Sequence, residues 1–528
     1  MDAAKKRVAI VGAGASGLAA CKHALGRGFR PVVFEADAGG VGGVWRRTLA
    51  STRLQTPAFT YRFSDFPWPP PPAAAAAPAD EVFPRHDQVA AYLAAYARRF
   101  GVLGCVRFGS AVVGAEYAGV PEERVAAWER WAGNGEAFGD GSGEWLLTVQ
   151  HRGSEATQTY RFDFLILCTG RFSGVAHTPM FPPNRGPGVF HGQVLHSMDL
   201  SNMDHAAAVE LVRGKRVAVV GSGKSAYDVV AQCADTNGAR HPCAMICRKP
   251  RWMVNGGFVW GVSIGHLFAN RLAETMVAGK PGEGLALGLV ATLLTPLRWV
   301  FSKLAEAYFK MNIPAMAKHG MVPGTRFSSS ISTCRLGVLP DRFYDKVDDG
   351  SVVIKRAKSV GFCADGLVLE DTGEHVVADV VVLATGFRGD KKLEDVFVSP
   401  RFKKMVSRTS NLYRQCVHPR IPQMAIIGYS EGPSSVYIYE MMAKWVAHFL
   451  DGAFRLPEVG TMERSAAEWG EYMRRQGEGC LEVQCLGGIN TWYNDALCRD
   501  MGYNPRRKHG FLAEWIEPYG PTDYADIY

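Results

Sequence analysis

The chain has no C-x-x-C pair, no N-x-[ST] sequon and no uninterrupted apolar run of the ~20 residues that a membrane-spanning helix requires. Its 12 cysteines are scattered through 528 residues. The tightest spacings, Cys243 to Cys247 and Cys480 to Cys485, fit neither a zinc ribbon nor a redox-active dithiol. No disulfide framework and no metal site are expected. The missing sequon agrees with a reducing compartment. Met1 to Lys6 is polar and leads directly into an apolar strand, so no secretory signal is expected. The longest apolar stretch, Leu285 to Leu297, holds Pro296 near its end and meets Arg298. It predicts a buried or interfacial helix, with a peripheral membrane contact as the alternative. Charge of neither sign dominates: the net charge is +8, and the densest basic run is only Arg506 to His509. That run predicts a solvated face, and no nucleic-acid partner is expected. A hydrophobic share of 47% with 21% charged residues excludes disordered, collagenous and coiled-coil chains.

What the chain does have is an internal echo. Lys6-Arg-Val-Ala-Ile-Val-Gly12-Ala-Gly14-Ala-Ser16-Gly17 returns as Lys215-Arg-Val-Ala-Val-Val-Gly221-Ser-Gly223-Lys224-Ser225-Ala226. Each copy is an apolar strand, a glycine loop and a helix-period segment, the first with Leu18, Cys21 and Leu25, the second with Ala226, Val229, Val230 and Cys233. The two copies lie too far apart for a solenoid repeat and predict two separate nucleotide-binding lobes. Between them the sequence predicts a Pro/Ala surface loop over Pro69 to Pro78, a helix from about Asp87 to Phe100, and an exposed loop at 133–143. Two apolar strands ending alike, Phe164-Leu-Ile-Leu-Cys168-Thr-Gly170 and Val380-Val-Val-Leu-Ala384-Thr385-Gly386, bracket the second lobe and mark where the chain crosses between lobes. Met424 to Gly428, leading through Gly432-Pro433 into a helix ending near Leu450, reads as the return to the first sheet. The expected fold is α/β: a large first nucleotide-binding domain of residues 1–172 and 388–528, and a smaller second one of residues 173–387 inserted in it. Both domains are Rossmann-like, and residues 252–320 form a mostly helical insertion.

The glycine loops carry the chemistry. In such a loop the first glycine permits the tight turn, the second lets backbone approach a pyrophosphate, and the third allows close helix–strand packing. The following helix offers free N–H groups and a positive dipole end to the phosphates. Gly12, Gly14, Ser16 and Gly17 form the first candidate cradle; Gly221, Gly223, Lys224, Ser225 and Ala226 form the second. The ends of the second strands sort the ligands. Arg30-Pro-Val-Val-Phe-Glu35 places a carboxylate for the hydroxyls of an adenosine ribose, which suits FAD or NAD. Ala244-Met-Ile-Cys-Arg248-Lys249-Pro-Arg251 places cations at the matching point, and the Arg248 guanidinium suits the 2′-phosphate of NADPH. FAD beside NADPH means hydride transfer to a flavin. A disulfide acceptor lacks its cysteine pair, and dioxygen is the remaining common acceptor.

Beyond these loops, Phe190-His-Gly192-Gln-Val-Leu-His196-Ser-Met-Asp-Leu200 resembles the F-x-G-x-x-x-H-x-x-x-[Y/F] fingerprint of the flavin-containing monooxygenases. Gly39-Gly-Val-Gly42-Gly43-Val44-Trp45-Arg46 is similar to the segment that family holds beside FAD, and Leu383-Ala-Thr385-Gly386-Phe387 to its second linking strand. Leu54-Gln-Thr-Pro, Phe63-Ser-Asp-Phe-Pro-Trp68 and Leu497-Cys-Arg-Asp-Met-Gly-Tyr-Asn-Pro-Arg-Arg-Lys508 resemble the plant branch.

The resemblance implies an NADPH- and O2-dependent flavin monooxygenase. Such an enzyme forms a C4a-hydroperoxyflavin and passes one oxygen to a soft nucleophile, a small amine or sulfur compound. The plant branch favours N-hydroxylation of an amino-acid-derived amine. It further implies that Gly43, Val44, Trp45, Arg46, Thr385 and Gly386 contact cofactor. His196 is expected at the lobe interface, ordering NADP+. Gln55 is expected near the flavin, where animal and bacterial relatives carry Asn. Leu200 departs from the fingerprint's aromatic, and Baeyer–Villiger enzymes place Trp there. The alternatives are a Baeyer–Villiger ketone oxygenase and a flavin-binding protein without oxygenase activity. The expected location is cytoplasmic, with peripheral attachment to the endoplasmic reticulum membrane as the alternative. No pattern in the sequence speaks to oligomeric state.

Overall fold

A computed structural model describes residues 6–69, 83–407, 412–432, 434–477 and 484–528. Two parallel five-stranded sheets organise the chain. The first has the spatial order Met424–Ile426, Phe164–Leu167, Val8–Val11, Val32–Phe34, Val106–Arg107, with every neighbouring pair parallel. Its strands are unbroken apolar runs because both faces are covered. Successive side chains point to opposite faces. Val8 and Ile10 join a core with the helices Ala15–Gly26 and Ser435–Leu450, while Ala9 and Val11 face Trp145, Leu147 and Val149. Those three residues belong to an antiparallel sheet of Ser110–Ala118, Glu144–His151 and Thr157–Phe162.

The second sheet repeats the plan. Its order is Val352–Arg356, Cys243–Cys247, Val217–Val220, Val380–Leu383, Gln193–His196, again parallel throughout. Val217, Val219, Val380 and Val382 pack beneath the helix Lys224–Asn237, whereas Ala218, Val381 and Leu383 face a small antiparallel sheet of Val360–Cys363, Gly366–Leu369 and His375–Val377. The echo in the sequence is thus an echo of whole three-layer lobes.

The lobes are joined where the two similar tripeptides lie. His177 N–H donates to the Gly386 carbonyl at 2.9 Å and Arg388 N–H to the Val175 carbonyl at 2.8 Å. A bridge between Ala176 and Phe387 makes the crossing antiparallel. Phe164–Leu167 lies in the first sheet and Val380–Leu383 in the second, so the chain leaves one lobe and returns beside its own exit.

Four expectations are adjusted. The helix expected from Asp87 spans His86–Arg99. Residues 133–143 are not simply an exposed loop: Ala137 and Phe138 are core residues, and Phe138 packs on Phe29 and Phe164. The insertion opens with short strands, Met253–Val254 and the hairpin Phe258–Val259/Val262–Ser263, before it becomes helical. Its main helix runs straight through Pro296, from Leu285 to Asn312. At 28 residues it is about 42 Å long. Among the described residues it is the one helix long and apolar enough to cross a membrane by length and composition.

The C-terminal half of this helix buries Ser302, Ala305, Glu306 and Phe309. The N-terminal half buries Ala291 but leaves its leucines out: Leu285, Leu289 and Leu293 are 96%, 64% and 71% exposed. The expected Pro/Ala loop, beyond Pro69, and the expected turn at Pro433 lie outside the described residues, as does Cys480. Cys485 is disulfide-bonded to Cys334, a bridge across 151 positions that no spacing announces.

Candidate active site

In the first loop, Gly12 has φ +103°, and a Cβ there would stand 2.5 Å from the Cys168 carbonyl oxygen. A Cβ on Gly17 would stand 1.9 Å from the Gly12 carbonyl oxygen, so helix and strand close on each other only because both residues are glycine. Gly14 caps the helix Ala15–Gly26, and no side chain accepts a hydrogen bond from its first amides. Those N–H groups are left for an anion. Gly43 stacks on the loop from above: its Cβ would lie 3.1 Å from Gly14 Cα, and Gly42 N–H donates to the Ala13 carbonyl at 2.9 Å.

The Glu35 carboxylate accepts from the amides of Ala13 at 2.6 Å and Asp37 at 2.8 Å, which fixes it at the strand end. Two lone pairs remain for ribose hydroxyls. Trp45 Nε1 donates to the Tyr61 hydroxyl at 2.9 Å, Val44 is half exposed, and Arg46 Nε reaches Asp37 at 3.3 Å while its guanidinium covers Gly39 and Gly40. Ser16 is buried against Gly428, where a Cβ would meet Ser16 Oγ at 2.8 Å. Gly428 has φ +88°. Gly428 was not among the expected site residues; its place just after the returning strand Met424–Ile426 was the one available signal.

The second loop is built the same way. A Cβ on Gly221 would stand 2.3 Å from the Ala384 carbonyl oxygen, and Gly223 caps the helix Lys224–Asn237 without any side-chain acceptor. Ala226 stands in the third glycine's place and is fully buried. Ser225 is exposed, whereas Lys224 is committed to an ion pair with Asp228. Burial pushes the Asp228 carboxyl up, with Lys224 opposing. Arg248 is exposed immediately after the strand Cys243–Cys247. Arg251 comes closer to the loop, with Nη1 at 3.5 Å from a Cβ on Gly223. Arg251 was not among the expected site residues, although the run Arg248-Lys249-Pro250-Arg251 contains it.

Across the cleft, Gln55 faces the other lobe: a Cβ on Gly337 would lie 3.1 Å from Gln55 Oε1 and 2.6 Å from Met253 Sδ. Glu431, beyond the returning strand, accepts from Arg171 Nη1 at 2.9 Å. Burial pushes its carboxyl up to about 7, against the pull of Arg171, Arg251 and Arg335. Nothing local in the sequence marks Glu431, because its partners come from three distant segments. Thr385 Oγ1 donates to the His177 carbonyl, and Gly386 takes φ +95° in the lobe crossing.

His196 lies at that crossing, its ring 5.4 Å from the Phe387 ring. Its Nδ1 accepts from Met198 N–H at 3.1 Å and so caps the short helix Ser197–Asn202. Burial holds the imidazole below its ordinary range, with Asp199 opposing. Leu200 is buried in the core beneath the second sheet. Two glycine cradles, each opened by an uncapped helix and each followed by the side chain expected for its nucleotide, fit two dinucleotides.

The chain matches a family described as flavin-binding monooxygenase-like over residues 5–505. It belongs to the flavin-containing monooxygenases. As a member it is an FAD- and NADPH-dependent monooxygenase, an oxidoreductase of small molecules that uses O2. A probable flavin-containing monooxygenase 1 of Arabidopsis thaliana is 35% identical over 98% of this chain and 96% of its own length. The rat dimethylaniline monooxygenase [N-oxide-forming] 2 is 25% identical over 95% of this chain and 83% of its own. Among solved structures, S-allyl-L-cysteine S-oxygenase from Allium sativum superposes with a TM-score of 0.58 at 18% identity, covering 99% of this chain and 92% of that one. Cyclohexanone monooxygenase gives 0.62 at 16% identity over 94% and 98%. These two likenesses show the fold of two Rossmann-like lobes.

Proposed function

We propose that this monooxygenase inserts one oxygen of O2 into a nitrogen or sulfur atom of a small molecule, with N-hydroxylation of an amino-acid-derived amine as the favoured reaction. The observation that carries this reading is the near full-length similarity to the Arabidopsis flavin-containing monooxygenase at 35% identity. With both nucleotides bound, the pair supplies hydride transfer to flavin and activation of dioxygen.

The chain's own residues do the rest. The uncapped amides after Gly14 and Gly223 hold the two pyrophosphates, and Glu35 takes the FAD ribose. Arg248 takes the NADPH 2′-phosphate, with Arg251 beside the loop. Gly43, Val44, Trp45 and Arg46 close over the first cradle. The Gln55 carboxamide presents a donor and an acceptor to the cleft, and His196 with Thr385 and Gly386 steadies the lobe crossing. Excluding water from the closed cleft protects the oxygen transfer.

The test is NADPH oxidation by the purified yellow protein with amines, thioethers and ketones under isotopically labelled dioxygen. Label in an N- or S-oxygenated product supports the reading. Esters or lactones formed from ketones alone would replace it with Baeyer–Villiger chemistry, a second reading favoured by the cyclohexanone monooxygenase superposition. NADPH oxidation indifferent to every compound would leave a flavin-binding protein without oxygenase activity.

The exposed apolar half of the helix Leu285–Asn312 supports a peripheral contact with a lipid surface on the cytoplasmic side of a membrane such as the endoplasmic reticulum. Trp260 in the neighbouring hairpin is exposed and packs on Tyr308, extending the same apolar face. Sedimentation with phospholipid vesicles, lost in Leu289→Lys/Leu293→Lys, is the matching experiment.

A further inference from the structure

The small antiparallel sheet of the NADPH lobe carries a cluster of donor side chains that belongs to neither glycine cradle. Its buried face, with Val360, Phe362, Leu367, Leu369 and Val376, is core. Directly paired strand residues share a face, so Cys363, Gly366 and Val377 lie on the outer one, and His375, two residues before Val377, joins them. Gly366, between Cys363 and Val377 in the pairing, presents no side chain. The turn after Cys363 adds Asp365.

The three donor atoms converge. Cys363 Sγ lies 3.1 Å from His375 Nε2 and 3.6 Å from Asp365 Oδ1, and His375 Nε2 lies 3.0 Å from Asp365 Oδ1. All three could hold one ion. In a tetrahedral zinc site, bonds of about 2.3 Å to sulfur and 2.0–2.1 Å to nitrogen and oxygen set the donors about 3.3–3.6 Å apart. The triangle here is within about 0.5 Å of that before any ion binds. The turn is also held rigid: Ala364 carbonyl accepts from His191 N–H at 2.9 Å, and Asp365 carbonyl accepts from Ala378 N–H at 3.0 Å. Glu374, the nearest other carboxylate in sequence, is turned away to Lys355.

We propose that Cys363, Asp365 and His375 form a surface site for a zinc-type divalent ion, outside the flavin chemistry. One thiolate, one imidazole and one carboxylate are the donors such an ion takes, and hard cations would prefer oxygen alone. Asp365 and His375 are exposed, so the fourth corner is open to water or to a donor from another molecule. Binding puts the metal on the thiolate and releases the thiol proton to solvent.

The experiment reads the alkylation rate of Cys363 in the flavin-loaded protein by iodoacetamide and peptide mass spectrometry, with and without Zn2+. Zinc is expected to slow Cys363 alkylation by roughly tenfold or more, because the metal-bound thiolate is no longer free to react, and a chelator restores it. His375→Ala and Asp365→Asn, both at exposed positions, are expected to remove that protection while NADPH oxidation stays at the native rate. Cys363 alkylation indifferent to zinc, or protection that survives His375→Ala unchanged, would overturn the site.

Discussion

Arg171 Nη1 donates to Glu431 Oε1 at 2.9 Å, and the pair ties the first lobe crossing to the turn beyond the returning strand. Burial holds the Glu431 carboxyl up to about 7, above its ordinary 4.5. A raised acid stabilises the fold below its unfolded-state value, and that contribution fades as pH climbs through the folded value. Stability should therefore fall between pH 4.5 and pH 7 by about 1–2 kcal/mol from this side chain, the figure being discounted because the carboxyl is partly exposed. Glu431→Gln should flatten the change. Thermal melts of both proteins at pH 5 and pH 8 check this; equal slopes for the two would remove Glu431 as the source.

Gly14 and Gly43 approach each other backbone to backbone at the first cradle. A Cβ on Gly14 would lie 3.7 Å from Gly43 Cα, ordinary contact, so the polypeptide itself tolerates a side chain there. Gly14→Leu should fold, as judged by circular dichroism, yet emerge colourless. Stoichiometric FAD in that variant would refute the assignment of the first cradle.

Arg248 and Arg251 separate two jobs. Arg248→Ala should lower kcat/KM for NADPH while sparing NADH, by about 1.5–3 kcal/mol of charge-assisted hydrogen bonding. Arg251 lies against Gly223, where both nucleotides carry the same pyrophosphate, so Arg251→Ala should weaken both alike. Steady-state kinetics with the two donors tells these outcomes apart, and an Arg248 variant that loses both equally would move the 2′-phosphate elsewhere.

Cys334 and Cys485 join residues 173–387 to the C-terminal segment that hydrogen-bonds Glu431. Cys485→Ser should cost about 2–4 kcal/mol, and treating the native protein with a reductant should bring its melting point down to that of the variant. A native protein that melts identically with and without reductant would show that the bridge carries no stability.

Features fixed by local sequence were legible. Gly12 and Gly221 each need a positive φ beside a strand-end carbonyl, and that need is written within a dozen residues of each strand. The apolar runs at Val8 and Val217 announced parallel strands because both faces are covered. Features made by distant segments were not legible. Glu431 acquires its character from Arg171, Arg251 and Arg335, and Gly428 matters only because Ser16 lies against it. The Cys363, Asp365 and His375 cluster needs the pairing of three strands, so no linear ligand spacing reveals it. The apolar stretch Leu285 to Leu297 marks only the first part of the helix, whose amphipathic remainder to Asn312 carries charges that end the apolar run. Pro296 costs the helix a backbone donor and crowds the preceding turn, and the packed half from Ser302 to Phe309 sustains the helix across it.

The antiparallel crossing at Ala176 and Phe387 also sets a timetable for synthesis. The inner lobe is one continuous stretch and can assemble while the nascent chain is still emerging. The outer lobe's edge strand, Met424–Ile426, leaves the ribosome only after that inner lobe has been completed. Until then the strand Phe164–Leu167 presents an unpaired apolar edge, and that interval is when the newborn polypeptide most needs a chaperone.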